Sequence, residues 1–107
     1  PLVAAAALAA FDVIDDPELL RRTRELGGRL RSGLEEIDGV SEVRGRGLML
    51  GASLSDVWKA PDLAARLLAE GLVVNPIGAE TIRLLPPLVI GEAEVDEALE
   101  IVRRVLD

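Results

Sequence analysis

At 107 residues the chain has room for one domain, and with 50% of its residues apolar it can bury a core. Its 12 basic and 19 acidic residues leave a net charge of −7, and its only aromatic side chains are one Phe and one Trp, so a basic, base-stacking nucleic-acid surface is excluded. Neither histidine nor cysteine is present, which removes the commonest general base near neutral pH, the commonest metal ligand, disulfides and thiolate metal sites, and fits a reducing, cytoplasmic compartment.

Leu2 to Ile14 reads as a first helix. It is rich in alanine, a strong helix former with little bulk on any side, and so suits close packing against a larger body. Its apolar run is well short of the roughly 18 residues a membrane helix needs, and no basic segment precedes it as in a secretory leader. Pro1 opens directly on this helix without an initiator Met, so the chain reads as cut from a longer protein. Asp15-Asp16-Pro17 marks a break and a restart, with Asp16 as N-cap and Pro17 at the first helical position.

A second helix is predicted from Glu18 to Ile37, with Leu19, Leu20, Leu26, Leu30, Leu34 and Ile37 on one face. Gly27 and Gly28 cost it about 1 kcal/mol each relative to alanine, which points to close packing or a bend. Val40–Arg46 and Gly47–Leu54 then read as two strands, with Gly45 and Gly47 permitting a hairpin or bulge between them. Ser55–Lys59 is a loop. A third helix starts at Ala60, carries Leu63, Ala64, Leu67 and Leu68 on one face and stops at Gly71. Leu72–Asn75 reads as a short strand, Pro76–Glu80 as a turn, and Thr81–Leu85 as a fourth strand ended by Pro86-Pro87. The last helix begins at Gly91-Glu92, with Val95, Ala98, Leu99, Val102, Val105 and Leu106 facing one way. The order is α-α-β-β-α-β-β-α. An α+β fold follows, a small mixed or antiparallel sheet of three or four strands with helices on one face.

Most charged groups have plain structural readings. Glu92, Glu94, Asp96, Glu97 and Glu100 decorate the first turns and outer face of the last helix, where negative charge suits the helix dipole, and they do not spell a metal site. Glu35-Glu36 and Asp15-Asp16 are helix-end charges. Arg44-Gly45-Arg46-Gly47 lacks the spacing and the Lys-Ser/Thr pair of a phosphate loop. It suits a tight hairpin with solvated arginines, or anion or interface contacts. Lys59, the sole lysine, lies in a polar loop beside a helix start and is expected to be solvated and protonated. Trp58 next to it suits packing or an interface.

Arg83 is the exception. It sits in Thr81-Ile82-Arg83-Leu84-Leu85 with apolar neighbours on both sides, a setting that asks for an anion. That anion is either a carboxylate of this chain or a ligand carboxylate held through two parallel N–H···O bonds. Asn75 either closes a turn or points into a pocket near Arg83.

Three segments, Val43–Gly51, Glu70–Asn75 and Ile82–Leu88, together resemble the C-terminal small domain of the class III aminotransferases, which use pyridoxal phosphate, and lean toward the acetylornithine aminotransferases. Pro1–Ala7 is similar to the end of that family's glycine-asparagine-proline segment and the helix after it. The resemblance covers essentially the whole chain, in order, as one C-terminal small domain of fold-type I, residues 1–107. It implies that Arg83 binds the α-carboxylate of the amino-acid substrate; Asn75 stays a substrate-binding candidate on the reading of its own segment. It places the Schiff-base lysine and the residues holding the cofactor's ring and phosphate upstream of Pro1. Lys59 does not match the lysine's motif, so no catalytic, cofactor-binding or metal-binding residue is expected in this chain, which alone should neither bind pyridoxal phosphate nor transaminate. The implied parent is a homodimer that moves an amino group from N-acetylornithine to 2-oxoglutarate in arginine biosynthesis. Relatives acting on ornithine, 4-aminobutyrate, succinylornithine or a carrier-linked lysine share the motifs. Two other readings stand beside it: a free-standing module binding a small acid, and an oligomerisation domain in which Arg83 pairs internally. The isolated chain, lacking its partner domain, is expected to self-associate.

Overall fold

The computed structural model describes residues 1–55 and 57–107. Four helices, α1 (Leu2–Ile14), α2 (Pro17–Glu35), α3 (Ala60–Ala69) and α4 (Glu92–Leu106), accompany four strands, β1 (Val40–Arg46), β2 (Met49–Leu54), β3 (Asn75–Ile77) and β4 (Thr81–Leu84). All strand pairings are antiparallel, in the spatial order β1-β2-β4-β3. The expected α+β architecture is thus present, with a purely antiparallel sheet of four strands. No described helix is long and apolar enough to cross a membrane.

The core lies between one face of the sheet and helices α2, α3 and α4. Leu30, Leu34, Leu50, Leu63, Leu67, Ile82, Val95 and Val102 are its largest fully buried side chains. Along β2 and β4 every second residue enters it: Leu50, Ala52 and Leu54, then Ile82 and Leu84. A period of two divides a strand between two faces, so Met49, Gly51, Ser53, Thr81 and Arg83 fall on the side without helices.

Several boundaries differ from the sequence expectation. The second helix ends at Glu35, and Ile37 is buried just beyond it. Leu20, at the start of the expected apolar face, is 42% exposed because no described residue covers that end of α2. Gly47 and Leu48 belong to the hairpin turn, where Gly47 has φ of 53°. The third strand is shifted: Leu72–Val74 runs outside the ladder, and β3 instead takes Asn75–Ile77, including Pro76. Proline is tolerated there because β3 is an edge strand, whose outward amide has no partner to lose. Leu85 lies past the end of β4, and Ile101 joins the buried face of α4. Part of the expected 55–59 loop, Asp56, lies outside the described residues.

Helix α1 forms as expected but buries nothing. Leu2, Val3, Leu8, Phe11 and Val13 are each more than half exposed, so the larger body its composition suits is not supplied by this chain. The break after it is as read: the Asp16 side chain accepts from the Glu18 amide at 2.9 Å, with Pro17 in the first turn.

Two contacts lock α2 to the rest. Arg31 donates to the carbonyls of Val43 at 2.9 Å and Gly45 at 2.7 Å, covering acceptors on the β1 edge. Arg29 grips Asp96 of α4 with both ends of its fork, at 2.7 and 2.9 Å. The hydrogen bond from Arg29 holds the Asp96 carboxyl below its ordinary range.

The paired glycines of α2 have opposite roles. A Cβ on Gly27 would strike the backbone carbonyl of Gly47, whereas one on Gly28 would meet nothing within 4 Å. Gly27→Ala should therefore destabilise the fold by about 1–3 kcal/mol through overpacking against the hairpin. Gly28→Ala should stabilise it by about 0.5–1 kcal/mol, and urea unfolding of the two variants checks both signs. Asp96→Asn should lower the unfolding midpoint near neutral pH. Because the folded pKa is depressed, the wild-type advantage is complete above the ordinary aspartate range and disappears as pH falls through the lowered folded value. Thermal melts of both proteins across that acid range test it.

Candidate functional site

The site is built on β4 and its two neighbours. Ile82 is 0% and Leu84 4% exposed, so their burial sends the intervening Arg83 to the open face. One row crosses the sheet there, in the register Arg44, Gly51, Arg83, Asn75. The two residues singled out from the sequence are thus cross-strand partners. Asn75 is the first residue of β3 rather than part of a turn.

Arg83 is exposed, and among the described residues no carboxylate, carbonyl or hydroxyl holds its guanidinium. The internal ion pair considered for it is not formed with any described residue. A guanidinium on a strand anchored by two buried neighbours presents a planar fork of donors at a fixed place, suited to a carboxylate.

Arg83 and Asn75 also line a cleft of about 490 Å³, within the range of small-molecule sites. It opens where the chain entering β3 (Gly71, Leu72, Val73) diverges from the chain leaving β4 (Leu85, Pro86, Pro87). Ile90, Ala98 and Ile101 add apolar wall, and Glu94 and Glu97 are its acidic members. Pro86 and Pro87 cannot extend the β3–β4 ladder, which is what lets the two segments separate. The α4 side of this cleft was not legible in the sequence, because Ile90, Glu94 and Ala98 come to line it only through the tertiary fold.

The other sequence candidates are elsewhere. Lys59 is exposed at the N-terminal boundary of α3, and the adjacent Ala60 amide bonds to the Ala79 carbonyl at 2.8 Å, which ties this lysine to the 78–80 turn. It does not line the Arg83 cleft. Trp58 is half-buried against the core, in keeping with a packing role. No described group of three or more acidic residues is arranged to hold a metal ion. Arg44 is missing from the sequence candidates as an individual residue. Its only signal was the Arg-Gly-Arg-Gly run, and the structure bonds it across the sheet to Ser53 and Thr81.

An antiparallel sheet sealed by helices on one face, with an arginine in a central strand on the other that no described residue pairs, defines an α+β domain. The family model of class-III aminotransferases matches residues 1–106, and the chain belongs to that family. It is 42% identical over 107 residues to an ornithine aminotransferase of Staphylococcus carnosus, across 98% of this chain and 26% of that protein. The ornithine aminotransferase of Bacillus subtilis is 39% identical across 99% of this chain and 26% of its own length. Among solved structures, an N-acetylornithine aminotransferase from Stenotrophomonas maltophilia superposes with a TM-score of 0.89 at 35% identity, over 98% of this chain and 30% of that one. An ornithine delta-aminotransferase from Plasmodium falciparum does so with a TM-score of 0.83 at 30% identity, over 99% of this chain and 29% of that one. The chain therefore spans only 26% of the length of these curated relatives.

Proposed function

We propose that residues 1–107 are the C-terminal small domain of a pyridoxal-phosphate-dependent aminotransferase, and that Arg83 holds the carboxylate of its amino-acid and 2-oxo-acid substrates. The observation that carries this reading is the Arg83 guanidinium, unpaired among the described residues, on a strand whose flanking residues are buried. Two parallel N–H···O bonds would fix the carboxylate and, with it, the direction of the substrate's α-carbon. Asn75, opposite Arg83 in the ladder, offers a second polar group to the same ligand.

The residues present do not make a seat for the cofactor. The one lysine lies by the 78–80 turn, and neither Asn75 nor Arg83 supplies an amine. In this reading pyridoxal phosphate, the group that supplies the electron sink, is held by residues outside this chain. The chain's own part is to bind and orient the acid.

N-acetylornithine as donor, with 2-oxoglutarate as acceptor in arginine biosynthesis, is supported by the structural likeness to an N-acetylornithine aminotransferase. Ornithine as donor is supported equally by the ornithine aminotransferases among the relatives. The full-length enzyme assayed with each donor separates the two. The parent in this reading is a cytoplasmic homodimer, and α1, with its unburied apolar side chains, belongs to a contact with the rest of it.

Arg83→Leu in the full-length enzyme should raise the KM for donor and for 2-oxoglutarate by about 10- to 100-fold, the scale of losing a charged hydrogen-bonded pair. The absorbance of the bound cofactor should be unchanged. Unaltered KM values for both substrates would refute the clamp. Asn75→Ala should produce a shift in the same direction of about threefold, as expected for one neutral hydrogen bond. The isolated 107-residue chain should sediment with a weight-average mass that rises with concentration; a monomer at high concentration would rule out self-association.

A further inference from the structure

The open face of the sheet is electropositive in an acidic chain. The net charge is −7, yet the strand residues on this face include Arg44, Arg46 and Arg83 against Glu42 alone. Arg44 is the one whose position is fixed. Its two terminal nitrogens donate to Ser53 Oγ at 2.6 Å and to Thr81 Oγ1 at 3.1 Å, so its side chain crosses β2 and ends over β4. Gly51 is what leaves that path open. It lies between Arg44 and Arg83 in the row, and a Cβ there would already sit 3.8 Å from Arg44 Cγ and 3.7 Å from Thr81 Cγ2. Anything longer would occupy the ground the guanidinium crosses.

Thr81 and Arg83 share one face of β4, two residues apart, a spacing of about 7 Å. The Arg44 charge is therefore held one side-chain position from the carboxylate site. Its partners there are neutral hydroxyls, which orient a guanidinium without cancelling its charge. Glu42, at 3.8 Å, is the only acid paired with it among the described residues.

We propose that Arg44 is a positioning residue for the Arg83 site. Strapped across Gly51 by Ser53 and Thr81, it supplies a fixed second positive charge that draws anionic substrates to Arg83 without touching them. The inference rests on the reading of Arg83 given above. A charge about 7–10 Å away, acting through the effective dielectric near a protein surface and screened by about 0.1 M salt, changes anion affinity by about three- to tenfold. Mobile ions screen it, because the Debye length falls from about 10 Å at 0.1 M salt to about 3 Å at 1 M.

The test is steady-state kinetics of the full-length enzyme carrying Arg44→Gln or Arg44→Lys, at about 20 mM and about 500 mM salt. Arg44→Gln should raise KM for both carboxylate substrates about fivefold at low salt with kcat within about twofold of wild type, and the gap should close at high salt. Arg44→Lys keeps the charge while losing the fork, and should restore KM to within about twofold of wild type. An unchanged KM in Arg44→Gln, a gap indifferent to salt, or an Arg44→Lys enzyme as impaired as Arg44→Gln would each overturn the proposal, the last two in favour of a purely structural strap. Arg83→Leu measured alongside separates the two readings. If it is inert, the carboxylate clamp fails and takes this inference with it; if it is defective while Arg44→Gln is inert, only the present inference fails.

Discussion

Burial of Ile82 and Leu84 decides what Arg83 can do. Both lie in the core, at 0% and 4% exposure, and a strand cannot bury two residues of one parity without presenting the residue between them to the other face. Slipping β4 by one residue would drive a guanidinium into the apolar interior, at a cost no gain elsewhere in the sheet could offset. The hydrophobic core of this small domain therefore also aims its arginine. For the proposed carboxylate contact this matters, because a group built on a strand is rigid, and rigidity is what a bidentate contact needs if it is to orient what it binds.

The surroundings of Arg83 follow from the same sheet. Pro86-Pro87 ends the β3–β4 ladder just past the Asn75–Arg83 pair, and the diverging chains open the cleft those two residues line. On the β2 side Gly51 withholds a side chain, and Arg44 lies across the space. The helices contribute at second hand. Arg31 covers carbonyls of β1, and the Arg29–Asp96 pair holds α2 against α4, so the sheet they back stays in register.

Helix α1 stands apart from this economy. Its sequence forms a helix without tertiary help to be seen in the chain, yet every one of its residues is unburied. With the chain spanning 26% of its relatives' length, the proposed role is that of a domain whose recognition residue faces chemistry housed elsewhere. In the proposed reading the exposed α1 and Arg83, which no described residue pairs, both face groups outside the chain, the first through apolar contact and the second through charge.

Much of this was written in local sequence. The helices are legible because apolar residues recur every three to four positions along α2, α3 and α4, mainly leucine in the first two and valine with leucine in the last, and because Asp16-Pro17 and Gly91 mark where two of them begin. Arg83 stood out because a charge between apolar residues has few explanations. Where the reading slipped, a distant partner had decided. Leu72–Val74 has the composition of a strand, but β4 pairs with Asn75–Ile77, proline included, and composition carries no register. Gly27 and Gly28 are indistinguishable as letters, and only the approach of the hairpin at Gly47 makes one of them indispensable to the packing. Arg44 looked like a solvated hairpin charge because Ser53 and Thr81, which hold it, are 9 and 37 residues away. The sequence by itself determined the helices, their apolar faces and the place of one arginine between apolar neighbours, since those depend on neighbours within a few residues. The tertiary structure alone decided which face Arg83 shares, with whom and beside what cleft, because a sheet row joins residues that the chain keeps far apart.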